Sequence, residues 1–218
     1  MRIHIDIKVN KAIQVMLLYL FFVVASGGLF APIFAVFITK SIVGASLRTI
    51  GFALALYGIS KSILQIPTAR YLDKHKGERD DFYALILGAV VAAIYPFCLL
   101  FVSKVWHLYA LEIFVGFGDA ALMAAYYSLF ARHVDKGSEG FEWSLFSVGG
   151  LTISSAIGGA IGGILGDMFG FHFLFLVGGI INSIVFFILL FLYPMLDGAR
   201  PVALPPFTPI PKNPSTNI

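Results

Sequence analysis

The chain alternates long apolar runs with short polar breaks, and the runs have the length of membrane crossings. They fall at 12–39, 49–70, 82–103, 105–131, 144–166 and 170–193, each long enough for a helix to cross roughly 30 Å of hydrocarbon. No stretch shows the alternating apolar and polar positions of a membrane strand, so the pattern does not predict a β-barrel. It predicts an all-α membrane protein of six transmembrane helices. Residues 1–11 form a polar N-terminal segment, 12–196 the helical domain, and 197–218 a tail with six prolines from Pro201 onward. That tail has no apolar period and the composition of a disordered or polyproline segment.

Composition agrees with the pattern. Of 218 residues 59% are hydrophobic and 12% charged, against roughly 25% charged in a soluble domain, and the mean hydropathy is +0.90. The net charge of +3 describes orientation rather than a binding surface. Eleven lysines and arginines lie in the N-terminal segment, the second and fourth loops and the tail, against three (Lys40, Arg48 and Lys104) on the other side. The excess marks the cytoplasmic side, so both termini are expected there, as an even number of spans requires, in the plasma or inner membrane. The basic residues form no aromatic-interleaved patch, so no nucleic acid is expected as a partner. Cys98 is the single cysteine, which excludes an intramolecular disulfide and a CxxC pair. No cofactor or metal pattern is present. The apolar run after Lys11 is too long for a cleavable signal.

Three ionisable residues stand well inside the runs: Lys61, Glu112 and Asp119. A charge at bilayer depth costs at least about 2.5 to 3.5 kcal/mol and marks a functional hypothesis. Glu112 and Asp119 are seven apart and share one helix face, and counting along the runs puts Lys61 between them in depth. Three readings follow. The three line a central cavity and bind a polar solute or relay a proton, they form a buried ion pair that fixes how the second and fourth helices pack, or they snorkel to an interface, Asp119 most easily.

Small residues form a second pattern. Gly150, Ser154, Gly158, Gly162 and Gly166 recur every four positions, with Gly159 and Gly163 beside two of them. Glycine costs a helix about 1 kcal/mol relative to alanine, so the stripe needs a close helix contact to offset it. The partner is either another helix of the same bundle or a second copy of the chain. In the first run, Gly27, Gly28 and Pro32 interrupt the apolar sequence and predict a break that lies against a cavity or a neighbouring helix.

Aligning the two halves matches ARYLDKHKG from Ala69 with GILGDMFG from Gly163, three spans apart and in opposite orientation. This is the signature of a 3+3 inverted repeat. Here the chain resembles one half of a major facilitator superfamily transporter. The run Ala69, Arg70, Tyr71, Leu72, Asp73, Lys74, His75, Lys76, Gly77 is similar to the family's GxLaDrxGrr loop, with alanine for the first glycine and the later glycine one residue late. The resemblance implies a gating loop of Arg70, Asp73, Lys74 and Gly77, in which Asp73 pairs with a helix end or a base. Gly116 and Gly118 match the family's RxxxGxG pattern, with Glu112 at the arginine position. Gly158, Gly159, Gly162 and Gly163 resemble the GPxxGG of antiporters, with Gly159 in the proline place.

The resemblance implies a secondary transporter of a small solute, working in the bilayer by alternating access between two six-helix units and open to proton coupling. Family members carry two such halves, so this half-sized chain is expected to pair with a second copy of itself, with another half-sized transporter, or to be a fragment. A homodimer is the expectation. In it the fifth helix faces the opposite half and the glycine stripe becomes the sliding seam. The alternative function is a non-transporting scaffold or subunit of a larger membrane complex, which would have no use for the three buried charges. An enzyme is not expected: the chain has no nucleophilic serine motif with a histidine partner, no HExxH helix and no GxxxxGK[ST] loop.

Overall fold

The computed structural model describes residues 9–74 and 77–196. The expectations for residues 1–8, for His75 and Lys76 of the loop and for the proline-rich tail lie outside the described residues. Helix α1 spans Lys11–Phe30, α2 Phe34–Ser41, α3 Leu47–Lys74, α4 Arg79–Leu99, α5 Val105–His133, α6 Glu139–Ser144 and α7 Ser154–Leu190. A 3-10 turn, Ala31–Ile33, joins α1 to α2, and a π-helical stretch, Leu145–Ile153, joins α6 to α7. Five of the resulting helical stretches are long and apolar enough to cross a membrane.

Local chemistry sets the helix ends and breaks. The Asn10 side chain accepts the Ala12 amide at 2.7 Å and so caps α1. Pro32 stands in the first turn of Ala31–Ile33, where its missing N–H interrupts the α-helical ladder. The interruption expected around Gly27, Gly28 and Pro32 therefore falls just beyond the two glycines, which are themselves helical. Helix α3 runs on to Lys74, so Arg70, Asp73 and Lys74 of the expected loop are helical too.

The last stretch, Glu139–Met195, is 57 residues long and is broken at Gly170, whose φ of 77° and ψ of −177° only glycine adopts readily. On either side of it the chain meets α1 in opposite order. Gly150 lies against Leu20, Gly158 against Ala25 and Gly162 against Leu29, rising together along both helices. Beyond the break, Phe171 meets Phe37, Phe175 meets Phe30, and the Gly178 carbonyl accepts from Ser26 Oγ at 3.0 Å, now falling from α2 back along α1. The chain turns back on itself at Gly170. Gly170→Ala is expected to lower stability by about 1–3 kcal/mol, the cost of holding a non-glycine residue there, read as a drop in melting temperature of detergent-purified protein.

The small-residue stripe packs inside the chain. Gly150, Ser154, Gly158 and Gly162 are all buried, and a Cβ on Gly158 or Gly162 would overlap the carbonyl of Ala25 or Leu29. Gly28 on α1 answers from the other side, 2.9 Å from the Ser155 carbonyl by the same measure. At those four positions the close contact lies within the chain, one of the two partners that the stripe allowed. Gly159 lies near Pro32, Gly166 between Leu174 and Ile33, and Gly163 is exposed with nothing near it.

Two apolar clusters fill the bundle. One gathers Ile13, Met16, Leu85, Leu129 and Leu189 near the end that holds Asn10; the other gathers Phe37, Ile38, Leu99, Leu108 and Phe175 near the opposite end. At that opposite end the two loops meet, with the Val43 amide donating to the Ser103 carbonyl at 3.2 Å. Outward-facing Phe52, Ile63, Ile66 and Leu87 are exposed, as a lipid-facing surface requires.

Candidate functional site

The site is built where α5 touches α3 and α4. Gly116 sits against Ser60 and the Tyr57 carbonyl so closely that any side chain would collide. That approach brings Tyr57 and Lys61, one turn apart on α3, to Asp119, one turn beyond Gly116 on α5. Lys61 Nζ lies 2.6 Å from Asp119 Oδ2, and the Tyr57 hydroxyl donates to the same oxygen at 2.6 Å. The ammonium also stands 5.7 Å from the centre of the Tyr57 ring, within cation–π range. Lys61 and Asp119 occupy the centres of α3 and α5 by residue count.

Glu112 stands two turns along α5 from Asp119, nearer the helix start. It is 4% exposed, and its Oε1 accepts from the Tyr95 hydroxyl of α4 at 2.9 Å. Sequence counting placed Lys61 between the two acids in depth. Instead lysine and Asp119 share one level and Glu112 lies apart, because the contact at Gly116 fixes the register of α3 on α5. Both carboxyls line a cavity of about 470 Å³ between α1, α3, α4, α5 and the second part of α7.

Pro96 shapes the opposite wall. A proline inside a helix removes the hydrogen bond to the carbonyl four residues back, here that of Ala92. The Asn182 side chain fills the vacancy, its Nδ2 donating to the Ala92 carbonyl at 2.9 Å. That donation identifies the nitrogen of the amide, and the remaining oxygen, Oδ1, is buried without a partner. Asn182 is 6% exposed and lines the cavity. Gly27 lines it as well, while Gly28 is turned into the contact with α7.

The residues of the expected gating loop are less engaged. Arg70, Asp73 and Lys74 are exposed, and Asp73 pairs with no described residue. Only Gly77 is held, its carbonyl accepting from Arg132 Nη1 at 3.1 Å. The same guanidinium binds Asp81 Oδ2 at 2.8 Å, so the charge contact at this end joins α4 to α5 through Asp81 rather than Asp73.

Sequence reasoning missed Tyr57, Tyr95 and Asn182. Asn182 carried a usable signal, an uncharged amide in the apolar run GGIINSIVFF, where an unsatisfied polar group is costly. Pro96 carried another, since it frees a carbonyl. The two tyrosines carried none, because tyrosine is common in membrane helices and only the neighbouring helix decides what its hydroxyl meets.

Comparison with known proteins gives two findings. A family model described as Major Facilitator Superfamily matches residues 16–216. A curated relative, the proton-coupled antiporter flippase LtaA of Staphylococcus saprophyticus, is 24% identical over 116 residues. The match covers 53% of this chain and 29% of that protein, so the chain corresponds to well under two thirds of its relative's length.

Proposed function

Because the chain belongs to the major facilitator superfamily, a family of membrane transporters, we propose that it is a secondary transporter of a small solute, working by alternating access as part of a pair of six-helix units. The observation that carries this reading is the ion pair at the centre of two membrane-length helices, beside a cavity that holds a second, separate carboxyl. A scaffold gains nothing from such an arrangement. The distant likeness to a proton-coupled antiporter supports coupling to protons, with Glu112 as the carboxyl that gains and loses the proton while Asp119 is engaged by Lys61.

Six crossings follow if the chain passes the membrane twice around Gly170. A straight helix of 57 residues would be about 85 Å long, far beyond the bilayer. The contacts then support a 3+3 inverted repeat. The first crossing packs on the fifth through Gly28 and Gly158, as the fourth packs on the second through Gly116. The sixth meets the first at Gly178, as the third meets the fourth at Gly88. A shift of three spans carries each contact into its counterpart.

Pairing has a physical motive. Lys61 and Asp119 keep 27% and 26% of their side-chain surface exposed, and lipid against even partly open charges at mid-membrane is unfavourable. A second six-helix unit, by our reading another copy, covers them. The excess of lysine and arginine in the N-terminal segment, the second and fourth loops and the tail supports a cytoplasmic side for both termini of this multi-pass membrane protein.

Reconstitution of the purified chain into liposomes with an imposed pH gradient tests this. Gradient-driven flux of a solute from a panel of amines, sugars and drugs is expected, rising with the square of the protein-to-lipid ratio at low loading if two copies assemble. Glu112→Gln is expected to lose gradient-driven flux by about 100-fold, the range for removing an essential proton-transfer group. Flux no higher than in protein-free vesicles across all classes, or unchanged flux in the variant, would overturn the reading.

A further inference from the structure

Resting on the transporter reading, we infer that the cavity takes a protonated organic amine with an apolar or aromatic body, Glu112 serving as its counter-ion and Asn182 Oδ1 as an acceptor for its N–H. The charge balance of the walls points there. Asp119 is paired with Lys61, which is not among the lining residues, so among the described residues Glu112 is the one carboxyl of the cavity without a cation. Its described partner is a tyrosine hydroxyl, which binds Oε1 and leaves Oε2 for a ligand. A carboxylate removed from water and left without a cation is unfavourable, and an ammonium ligand supplies the missing charge.

The hydrogen-bonding groups agree. Asn182 holds its Nδ2 on the carbonyl that Pro96 frees, which leaves Oδ1 as its acceptor. That oxygen is buried and unpartnered beside the cavity, and a small shift of the amide toward the cavity lets a protonated amine satisfy it. Among the described residues no basic side chain lines the cavity, so nothing there would hold an anion by charge. Ten of the fifteen lining residues are apolar or glycine, too few polar groups for the many hydroxyls of a free sugar. The rings of Phe30, Phe34, Tyr57 and Tyr95 line the walls and suit both an apolar body and a cation.

The test uses three probes on one skeleton: 4-phenylbutylamine, 4-phenylbutanol and 4-phenylbutyrate, titrated calorimetrically into the purified full-length protein in detergent. The amine is expected to bind about tenfold more tightly than either of the others. Glu112→Gln is expected to erase that preference, and Asn182→Leu to weaken amine binding about threefold to tenfold. On the wild-type protein, saturating amine is expected to slow carbodiimide labelling of Glu112, a readout that survives if a variant fails to fold. Equal or tighter binding of the alcohol or acid, or labelling unaffected by the amine, would overturn the proposal. Amine binding without flux would sink the transport reading instead, and flux of another solute class with no amine binding would sink only this one.

Discussion

Gly162→Leu is expected to prevent the bundle from assembling. A Cβ at this position falls inside the carbonyl of Leu29 before the rest of a leucine side chain is added. The obstacle is backbone on a helix that is pinned on both sides, by the stripe of α7 and by Ser26 on Gly178, so it cannot yield to a rotamer change. Overpacking a well-fitted core costs typically 1–3 kcal/mol and more where backbone must move; here separation of α1 from α7 is the only relief. The measurement is the yield of monodisperse protein on size exclusion in detergent, expected to fall to aggregate for Gly162→Leu. Gly163→Leu, exposed with nothing within 4 Å, is the control and is expected to run as wild type. A monodisperse Gly162→Leu protein that has lost only its pairing would return the stripe to an interface between copies.

Lys61→Met is expected to destabilise the protein by about 3 kcal/mol, the cost of leaving one member of a largely buried ion pair without its partner. Asp119 would retain only the Tyr57 hydroxyl. The double variant Lys61→Met, Asp119→Asn removes both charges and is expected to recover most of the lost stability, since the pair is near neutral against a charge-free replacement. Thermal melts of the two single variants and the double close the cycle. Transport separates the roles: if the pair only holds α3 to α5, the double variant moves solute like wild type, whereas a working pair leaves it folded and inactive. Equal melting temperatures for all four proteins would remove the pair from any account of stability.

Part of the site was legible in the residues. Lys61, Glu112 and Asp119 stood out because ionisable groups are scarce in apolar runs, and all three lie at or beside one cavity. Their partnership was not legible. Which carboxyl meets Lys61 depends on the rotation of α3 against α5, and that rotation is set by a contact at Gly116 too close for any side chain. Asn182 was visible as an amide in an apolar run, yet its purpose depends on Pro96, which lies on another helix and 86 positions earlier.

The glycine stripe divides the same way. Its four-residue spacing already required a close contact, because spacing fixes a helix face and poor propensity requires compensation. Whether α1 or a second copy makes that contact is not a property of the stripe. By itself the sequence determined a membrane-embedded, all-helical chain, its apolar spans, its buried charges and its break points, because transfer energies and backbone restrictions act residue by residue. The tertiary structure alone decided that α1 fills the stripe, that Asp119 rather than Glu112 takes the lysine, and that Asn182 answers the carbonyl freed by Pro96. Lateral neighbours and rotations are chosen by the sum of contacts between helices distant in the chain, and no local pattern contains that sum.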